Sequence, residues 1–179
     1  MKNSIFKTEI ANRLKSVRKR KGLSLDATSK LTGVSKAMLG QIEREESSPT
    51  ISTLWKIASG LGTSFSGFFA SDPVLCSGER AFPDDSRMKV KTLFPYMTDS
   101  GMEMFEITLT GHHQQMSSPH GAGVIEHVVV TVGQLNVFFD NKWHHLNSGN
   151  SIRFYSDQPH GYHAITEITT FQNIICYPR

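Results

Sequence analysis

Residues 118–133, SPHGAGVIEHVVVTVG, combine a histidine and a glutamate with a run of β-branched residues. From Val124 to Val132 apolar side chains favour alternate positions, which is the period of a β-strand that buries one face. Side chains at positions of equal parity share a face of a strand. Such a strand is typical of a metal site, of a ligand pocket, or of a barrel with incidental polar residues. The predicted interior face carries His120, Ala122, Glu126, Val128, Val130 and Val132, and His127 is expected to point outward.

Strand-like segments continue on both sides of this stretch. Within residues 88–179 they read MKVKTLF, MEMFEITLT, QLNVFF, SIRFY and AITEITTFQNIICY. Turn-forming residues separate them, for example Asp140-Asn141 and Ser148-Gly149-Asn150. Many short strands with intervening turns predict an all-β barrel or sandwich. One of His144 and His145 is expected to face its interior.

The first 69 residues have the period of helices instead. Apolar residues recur every three or four positions from Phe6 to Val17, the stripe of an amphipathic helix that stops near Gly22. The predicted N-caps of three further helices are Ser24, Ser35 and Thr50. A last short helical turn is expected at Phe65, Phe68 and Phe69. Residues 1–69 are therefore predicted to form an all-α five-helix bundle.

Residues 70–87, ASDPVLCSGERAFPDDSR, contain proline, glycine, serine and acidic residues without periodicity. This composition is typical of a linker, so two domains are predicted, at 1–69 and 88–179. Cys76 and Cys176 are far apart and neither belongs to a CxxC pair. Free thiols are expected rather than a disulfide framework or a zinc ribbon.

Charge is divided unequally between these two domains. Residues 1–69 hold 12 lysines and arginines against 5 acidic residues, a net charge of +7, whereas the remainder holds 7 against 11, a net charge of −4. A basic N-terminal domain indicates a polyanionic partner. The apolar runs are far shorter than the roughly 18 to 20 residues that cross a bilayer. We therefore expect no membrane partner and a cytoplasmic location.

The stretch LSLDATSKLTGVSKAMLGQIEREESSPTISTLWKIASGLG resembles the helix-turn-helix of the XRE family, which includes the lambdoid phage repressors. The resemblance covers residues 9–69 and rests on Gly33, Val34, Ser35, Leu39, Ile42, Glu43 and Pro49. It implies that the third helix enters the major groove of double-stranded operator DNA. It also implies a structural ion pair between Arg18 and Glu43.

The same resemblance implies a set of DNA contacts. Those that match base-reading positions are Lys36, Ala37 and Gln41. Lysine suits guanine acceptors, glutamine can bond adenine twice, and an alanine methyl can touch thymine. Those that match phosphate-contacting positions are Ser35, Met38, Ser47 and Ser48.

The segments PHGAGVIEHVVVTVGQLNV and LNSGNSIRFYSDQPHGYHAI resemble the paired motifs of the cupin superfamily, whose fold is a jelly-roll barrel. In the first motif Ala122 stands where a second histidine is expected. In the second motif His163 has the opposite parity to His160 and is therefore a poor substitute ligand. The matching positions are His120, Glu126, Gly133, Gly149 and His160. The implied effector pocket is lined by His120, Ala122, Glu126 and His160. Because His120, Glu126 and His160 are two histidines and a carboxylate, a divalent metal ion in a degenerate cupin site is a further expectation.

The two resemblances together predict a transcriptional regulator that binds DNA in a sequence-specific manner. A homodimer is expected, since one short helix reads few base pairs, and the cupin is expected to bind a small effector that alters operator affinity. Two alternatives stay open at this point. In the first alternative, the cupin is a metal-dependent enzyme with a DNA-binding appendage. In the second, it serves only for dimerisation.

Overall fold

The computed structural model describes residues 2–68, 80–81 and 86–178, and side chains within 7–68 and 86–178. The chain divides into two compact units, Met1–Ser71 and Asp72–Arg179. Most of the predicted linker 70–87 lies outside the described residues, as do Phe69 and Cys76. Within that predicted linker, Arg80–Ala81 form a short strand that pairs with residues 89 and 90.

The first unit is helical. Its elements are α1 (Lys2–Arg20), α2 (Leu25–Thr32), α3 (Lys36–Glu43), α4 (Ile51–Gly60) and a 3₁₀ turn at Ser66–Phe68. The predicted five-helix bundle is therefore wrong in its count, since four α-helices are described. Gly62 has φ 55° and ends α4. The described segment that follows, residues 63–68, is too short to form a stable α-helix. In the described part of the chain, no helix combines the length and the apolar character needed to cross a bilayer.

The three predicted N-caps are confirmed. Ser24, Ser35 and Thr50 each accept a hydrogen bond from the backbone N–H three residues further along. Such caps satisfy one of the free N–H groups at a helix start and contribute about 1 kcal/mol each. Gly33 closes α2 with φ 67°, in the left-handed region that glycine adopts without a steric penalty. The turn between α2 and α3 is thus fixed by local sequence.

An ion pair joins α1 to α3. Arg18 Nε lies 2.6 Å from Glu43 Oε1, and Arg18 Nη2 lies 2.7 Å from Glu43 Oε2. Arg18 Nη1 also donates to the carbonyl of Leu23, at the entrance of α2, over 2.9 Å. The side chains of Arg18 and Glu43 are 14% and 8% exposed. The predicted pair is confirmed, and it ties three successive elements of the unit together.

The second unit consists of antiparallel strands. They are β1 (Arg80–Ala81), β2 (Met88–Met97), β3 (Met102–Thr110), β4 (Gln114–Ser117), β5 (Ile125–Val132), β6 (Gln134–Phe139), β7 (Lys142–Asn147), β8 (Ser151–Tyr155), β9 (His160–Ala164) and β10 (Ile168–Cys176). The sequence reading did not identify β4, β7 and β9, because their segments QQMS, KWHHLN and HGYHA are short and rich in polar residues. The predicted turn at Asp140 and Asn141 is confirmed by their positive φ angles of 50° and 58°.

The strands form two sheets with jelly-roll connectivity. One sheet has the order β1-β2-β3-β10-β5-β8 and the other has the order β4-β9-β6-β7. The chain passes from one sheet to the other between β3 and β4, β4 and β5, β5 and β6, β7 and β8, β8 and β9, and β9 and β10. This connectivity is that of a double-sheet jelly roll and confirms the predicted all-β fold. Gly133 makes the β5–β6 crossing with φ 76°, where a Cβ atom would lie 2.5 Å from the carbonyl oxygen of Ile168.

The predicted interior face is confirmed at His120 and from Glu126 to Val130, and it is wrong at Ala122 and Val132. Glu126 is buried and His127 lies on the opposite, half-buried face, as predicted. Ala122 is exposed, so the prediction that it faces the interior is wrong, because the strand begins only at Ile125 and Ala122 lies in a turn. Val132 is also exposed, beside a shift in the register between β5 and β10.

Replacing Glu43 by glutamine is expected to lower the free energy of unfolding of the helical unit by about 2 to 3 kcal/mol. The loss arises because Arg18 keeps its charge in a largely buried position without a counter-charge. Urea denaturation followed by circular dichroism at 222 nm measures it, since the helices dominate that signal. The matched control is Glu46→Gln, whose partner Arg44 is 60% exposed and which should change little. Equal losses in both variants would contradict a special role for the Arg18 pair.

Candidate functional site

The short helix α3 presents one exposed and one buried face. Leu39 and Ile42 are 0% and 1% exposed and anchor the helix in the core of the unit. The predicted base-reading residues Lys36, Ala37 and Gln41 are all exposed. Ala37 and Gln41 are four residues apart and therefore lie on the same side of the helix. The structure thus leaves these three side chains of α3 exposed.

The residues predicted to contact phosphates lie before, within and after α3. Ser35 is exposed, and its hydroxyl caps the helix by accepting from the backbone N–H of Met38 over 3.2 Å. Met38 is half-buried on the first turn, and Ser47 and Ser48 are half-buried in the segment that leads to α4. The N-terminal turn of α3 also has free backbone N–H groups, which favour anions.

The second unit contains a buried polar cluster between its two sheets. Glu126 comes from β5 in the six-stranded sheet, His160 comes from β9 in the four-stranded sheet, and His120 precedes β5. His120 Nε2 lies 2.9 Å and His160 Nε2 lies 3.3 Å from Glu126 Oε1. The three side chains are 3%, 1% and 1% exposed. The structure therefore brings together the three residues predicted as metal ligands.

Two further residues complete this cluster and were missed by the sequence reading. The Tyr162 hydroxyl donates a short hydrogen bond to Glu126 Oε2. Asn173 Nδ2 donates to the same oxygen over 2.8 Å and to the Tyr162 hydroxyl oxygen over 3.2 Å. Tyr162 has the parity of His160 on β9, which is a signal that could have identified it. Asn173 lies between Gln172 and Ile174 on β10, and it belongs to neither of the two cupin motifs.

Electrostatics in the cluster favours a charged carboxylate. Burial alone would raise the pKa of Glu126, but the charge of His160 and hydrogen bonds from His120 and His160 outweigh it and hold that pKa well below its usual range. Burial opposes the charged form of His160, yet attraction to Glu126 raises the pKa of His160. Burial, and then the charge of Glu126, raise the pKa of Tyr162 well above its usual value. Tyr162 therefore remains a hydrogen-bond donor at neutral pH.

The donor set of the cluster fits a divalent cation. His160 Nδ1 lies 2.8 Å from the carbonyl oxygen of Gln158, and since a carbonyl only accepts, Nδ1 carries a proton. Nε2 faces Glu126, and a cation bound there would replace the proton that Nε2 shares with that carboxylate. A backbone carbonyl on the second ring nitrogen is the usual way in which a metal-binding histidine is oriented. The ligand atoms of His120, Glu126 and His160 all lie within 4.8 Å of one another. Two imidazoles and one carboxylate oxygen suit iron and similar divalent ions.

The other histidines lie outside this cluster. His144 is half-buried and stacks on Phe139 with ring centroids 3.9 Å apart, whereas His145 is exposed and contacts Asn136. Of this pair, His144 is therefore the inward one. His163 has the opposite parity to His160 and lies near Trp143, at 6.0 Å between ring centroids. Ala122, predicted to line the same pocket, is exposed in the turn before β5.

The first unit is a capped helix-turn-helix whose α3 has one exposed face, and the second unit is a jelly-roll barrel with a buried polar cluster. This combination is that of a two-domain transcriptional regulator. Comparison with known proteins agrees. The helix-turn-helix family model HTH_3 matches residues 14–68. The HTH-type transcriptional regulator SutR of Escherichia coli K12 is 45% identical over 171 residues, which are 95% of this chain and 96% of that protein. The chain belongs to the XRE-type family of helix-turn-helix transcriptional regulators and carries a C-terminal cupin domain.

Solved structures are similar in both units. A crystal structure of an HTH_3 family transcriptional regulator from Vibrio cholerae is 67% identical, with a TM-score of 0.94 and 99% of both chains covered. The cupin_2 domain of an XRE family transcriptional regulator from Enterobacter cloacae is 39% identical, with a TM-score of 0.51. That match covers 52% of this chain and 100% of the other. The order of the domains is thus that of known regulators.

Proposed function

We propose that this regulator reads its operator through the exposed face of α3 and that its cupin domain binds a small effector that changes operator affinity. The observation that carries the proposal is the pairing of a DNA-binding unit with a barrel whose buried cluster of Glu126, His120 and His160 suits a ligand. The barrel then acts by binding rather than by turnover. The named relatives support this, since they are regulators.

The DNA-reading part of the proposal rests on chemistry and charge. Lys36 and Gln41 offer donors that match guanine and adenine edges in the major groove. The helical region carries a net charge of +7, which suits a phosphate backbone. Two contacts per helix give little specificity, so a second copy of the chain on a second half-site is part of the proposal.

The effector-binding part rests on the buried cluster. Burying a carboxylate among apolar strands is costly unless it is paired, and here the carboxylate lies between the two sheets with two imidazoles beside it. We propose that His120, Glu126 and His160 hold a divalent cation. Such an ion, when bound, offers open coordination positions to oxygen or nitrogen donors of a small ligand. The effector is therefore either the cation itself or a small molecule that the cation binds.

The proposed dimer surface is the outer face of the six-stranded sheet. Strand register places Met104, Ile174 and His127 in one row across β3, β10 and β5. The neighbouring row contains Met102, Cys176, Ile125 and Tyr155. These side chains are half-buried or exposed, and Tyr155 is 50% exposed. These side chains form a largely apolar patch beside the exposed Arg153 of β8, and such a patch suits packing against the same patch of a second copy.

Substituting Gln41 by alanine is expected to weaken operator binding by about 1 to 3 kcal/mol, because one base contact is lost. Binding to unrelated DNA should stay nearly unchanged, since phosphate contacts are retained. The operator is first selected from random DNA, and both affinities are then measured by mobility shift at fixed salt. The matched control is Gln114→Ala, an exposed glutamine of the barrel. Equal losses on both DNAs would show that Gln41 reads no base.

Adding Co²⁺ to chelator-treated protein is expected to raise the melting temperature of the barrel. At a hundredfold excess over Kd the stabilisation is about 2.7 kcal/mol. Operator affinity should then change by about 5- to 150-fold. His120→Ala should abolish both effects, whereas His145→Ala, an exposed histidine, should not. Thermal stabilisation without any change in operator affinity would contradict coupling between the two domains.

Replacing Ile174 by glutamate is expected to convert a dimer into a monomer, because a charge would be buried at the centre of the proposed contact. Operator affinity should fall with it, since the second half-site is lost. Analytical ultracentrifugation gives the oligomeric state. The matched control is Met116→Glu, at an exposed methionine of the four-stranded sheet that is 42% exposed. A dimeric Ile174→Glu variant would exclude this face as the interface.

A further inference from the structure

The two carboxylate oxygens of Glu126 have different partners. Oε1 faces the Nε2 atoms of His120 and His160 at 2.9 and 3.3 Å. Oε2 receives hydrogen bonds from the Tyr162 hydroxyl and from Asn173 Nδ2. The carboxylate therefore has one oxygen on the histidine side and one oxygen that is held by neutral donors.

We propose that Tyr162 and Asn173 are positioning residues that reserve a single oxygen of Glu126, Oε1, for a divalent cation. The inference rests on the proposed cation binding by His120, Glu126 and His160. A free carboxylate turns easily about its terminal bond and can offer either oxygen or both. Two donors fixed on Oε2 remove this freedom. The cation then receives one oxygen and two nitrogens from the protein, and its remaining positions are left to a small ligand.

The hydrogen-bond directions support this role. Asn173 Nδ2 donates to the Tyr162 hydroxyl oxygen over 3.2 Å, so the hydroxyl proton is directed to Glu126 instead. The Tyr162 ring is fixed in turn by Phe171, at 5.0 Å between ring centroids. Tyr162 and Asn173 are 4% and 3% exposed. Both donors are thus held in place by packing, which is what the orientation of a ligating carboxylate requires.

The two donors also come from opposite sheets. Tyr162 lies on β9, two residues after His160, and Asn173 lies on β10, opposite Val128 of β5. Glu126 is therefore oriented by one residue from each layer of the barrel. A purely structural role would also satisfy the buried carboxylate, but it makes no demand on how a cation binds. The two roles differ in the affinity and the spectrum of a bound ion.

The test is Co²⁺ titration of chelator-treated, full-length protein by calorimetry and by visible absorption. Tyr162→Phe removes one hydroxyl and should weaken Co²⁺ binding by about 10- to 100-fold. It should also lower the visible absorption per bound ion, because a freed Oε2 can join Oε1 and raise the coordination number. Asn173→Leu keeps a similar size, removes the other donor and should act in the same direction, so the result does not depend on one variant folding. The matched control is Tyr96→Phe, which removes the hydroxyl of a half-buried tyrosine on β2, outside both the cluster and the proposed dimer surface.

The outcomes separate the inference from the proposal on which it rests. The positioning role is supported by three results together. Wild-type protein binds Co²⁺, His120→Ala loses this binding, and Tyr162→Phe or Asn173→Leu binds Co²⁺ more weakly and with an altered spectrum. Wild-type affinity and an unchanged spectrum in both variants would overturn it while leaving cation binding intact. Wild-type protein that binds no Co²⁺ would overturn cation binding and the positioning role together.

Discussion

The barrel depends on one constraint, which is that a carboxylate lies between two sheets with almost no access to solvent. Glu126 is 1% exposed, and a lone charge in such a place would be driven to neutralise. Burial alone would raise the pKa of Glu126, but the charge of His160 and hydrogen bonds from His120 and His160 hold that pKa well below its usual range. Tyr162 and Asn173 donate to the other carboxylate oxygen. These five side chains come from three strands and a loop, so the contacts of one carboxylate join the two sheets.

The helical unit holds the short helix α3 in place while one face of that helix stays exposed. Eight residues form α3, and helices of that length are not stable alone. Ser35 caps its start, Leu39 and Ile42 anchor it, and the bidentate pair of Arg18 and Glu43 ties it to α1. Leu39 and Ile42 are buried on one side of α3, whereas Lys36, Ala37 and Gln41 remain exposed.

Sequence reasoning reached the local features and missed those that depend on distant residues. The caps at Ser24, Ser35 and Thr50 were predictable because a cap is a contact over three residues. The pairing of Arg18 with Glu43 followed only from a family resemblance. Parity placed Glu126 correctly, yet it placed Ala122 inside because it assumed a strand where a turn had already begun. Asn173 was out of reach, since its role appears only when β10 lies between β3 and β5.

The jelly-roll order has a consequence for folding. β10 lies between β3 and β5 in the larger sheet, although it follows every other strand of the barrel in sequence. The barrel core therefore cannot close until its last strand has left the ribosome, whereas every contact of the helical unit is available much earlier. The helical unit can therefore fold during synthesis before the barrel does. Under the proposed dimeric mode of operator reading, the chain gains that ability only when translation of the barrel has finished.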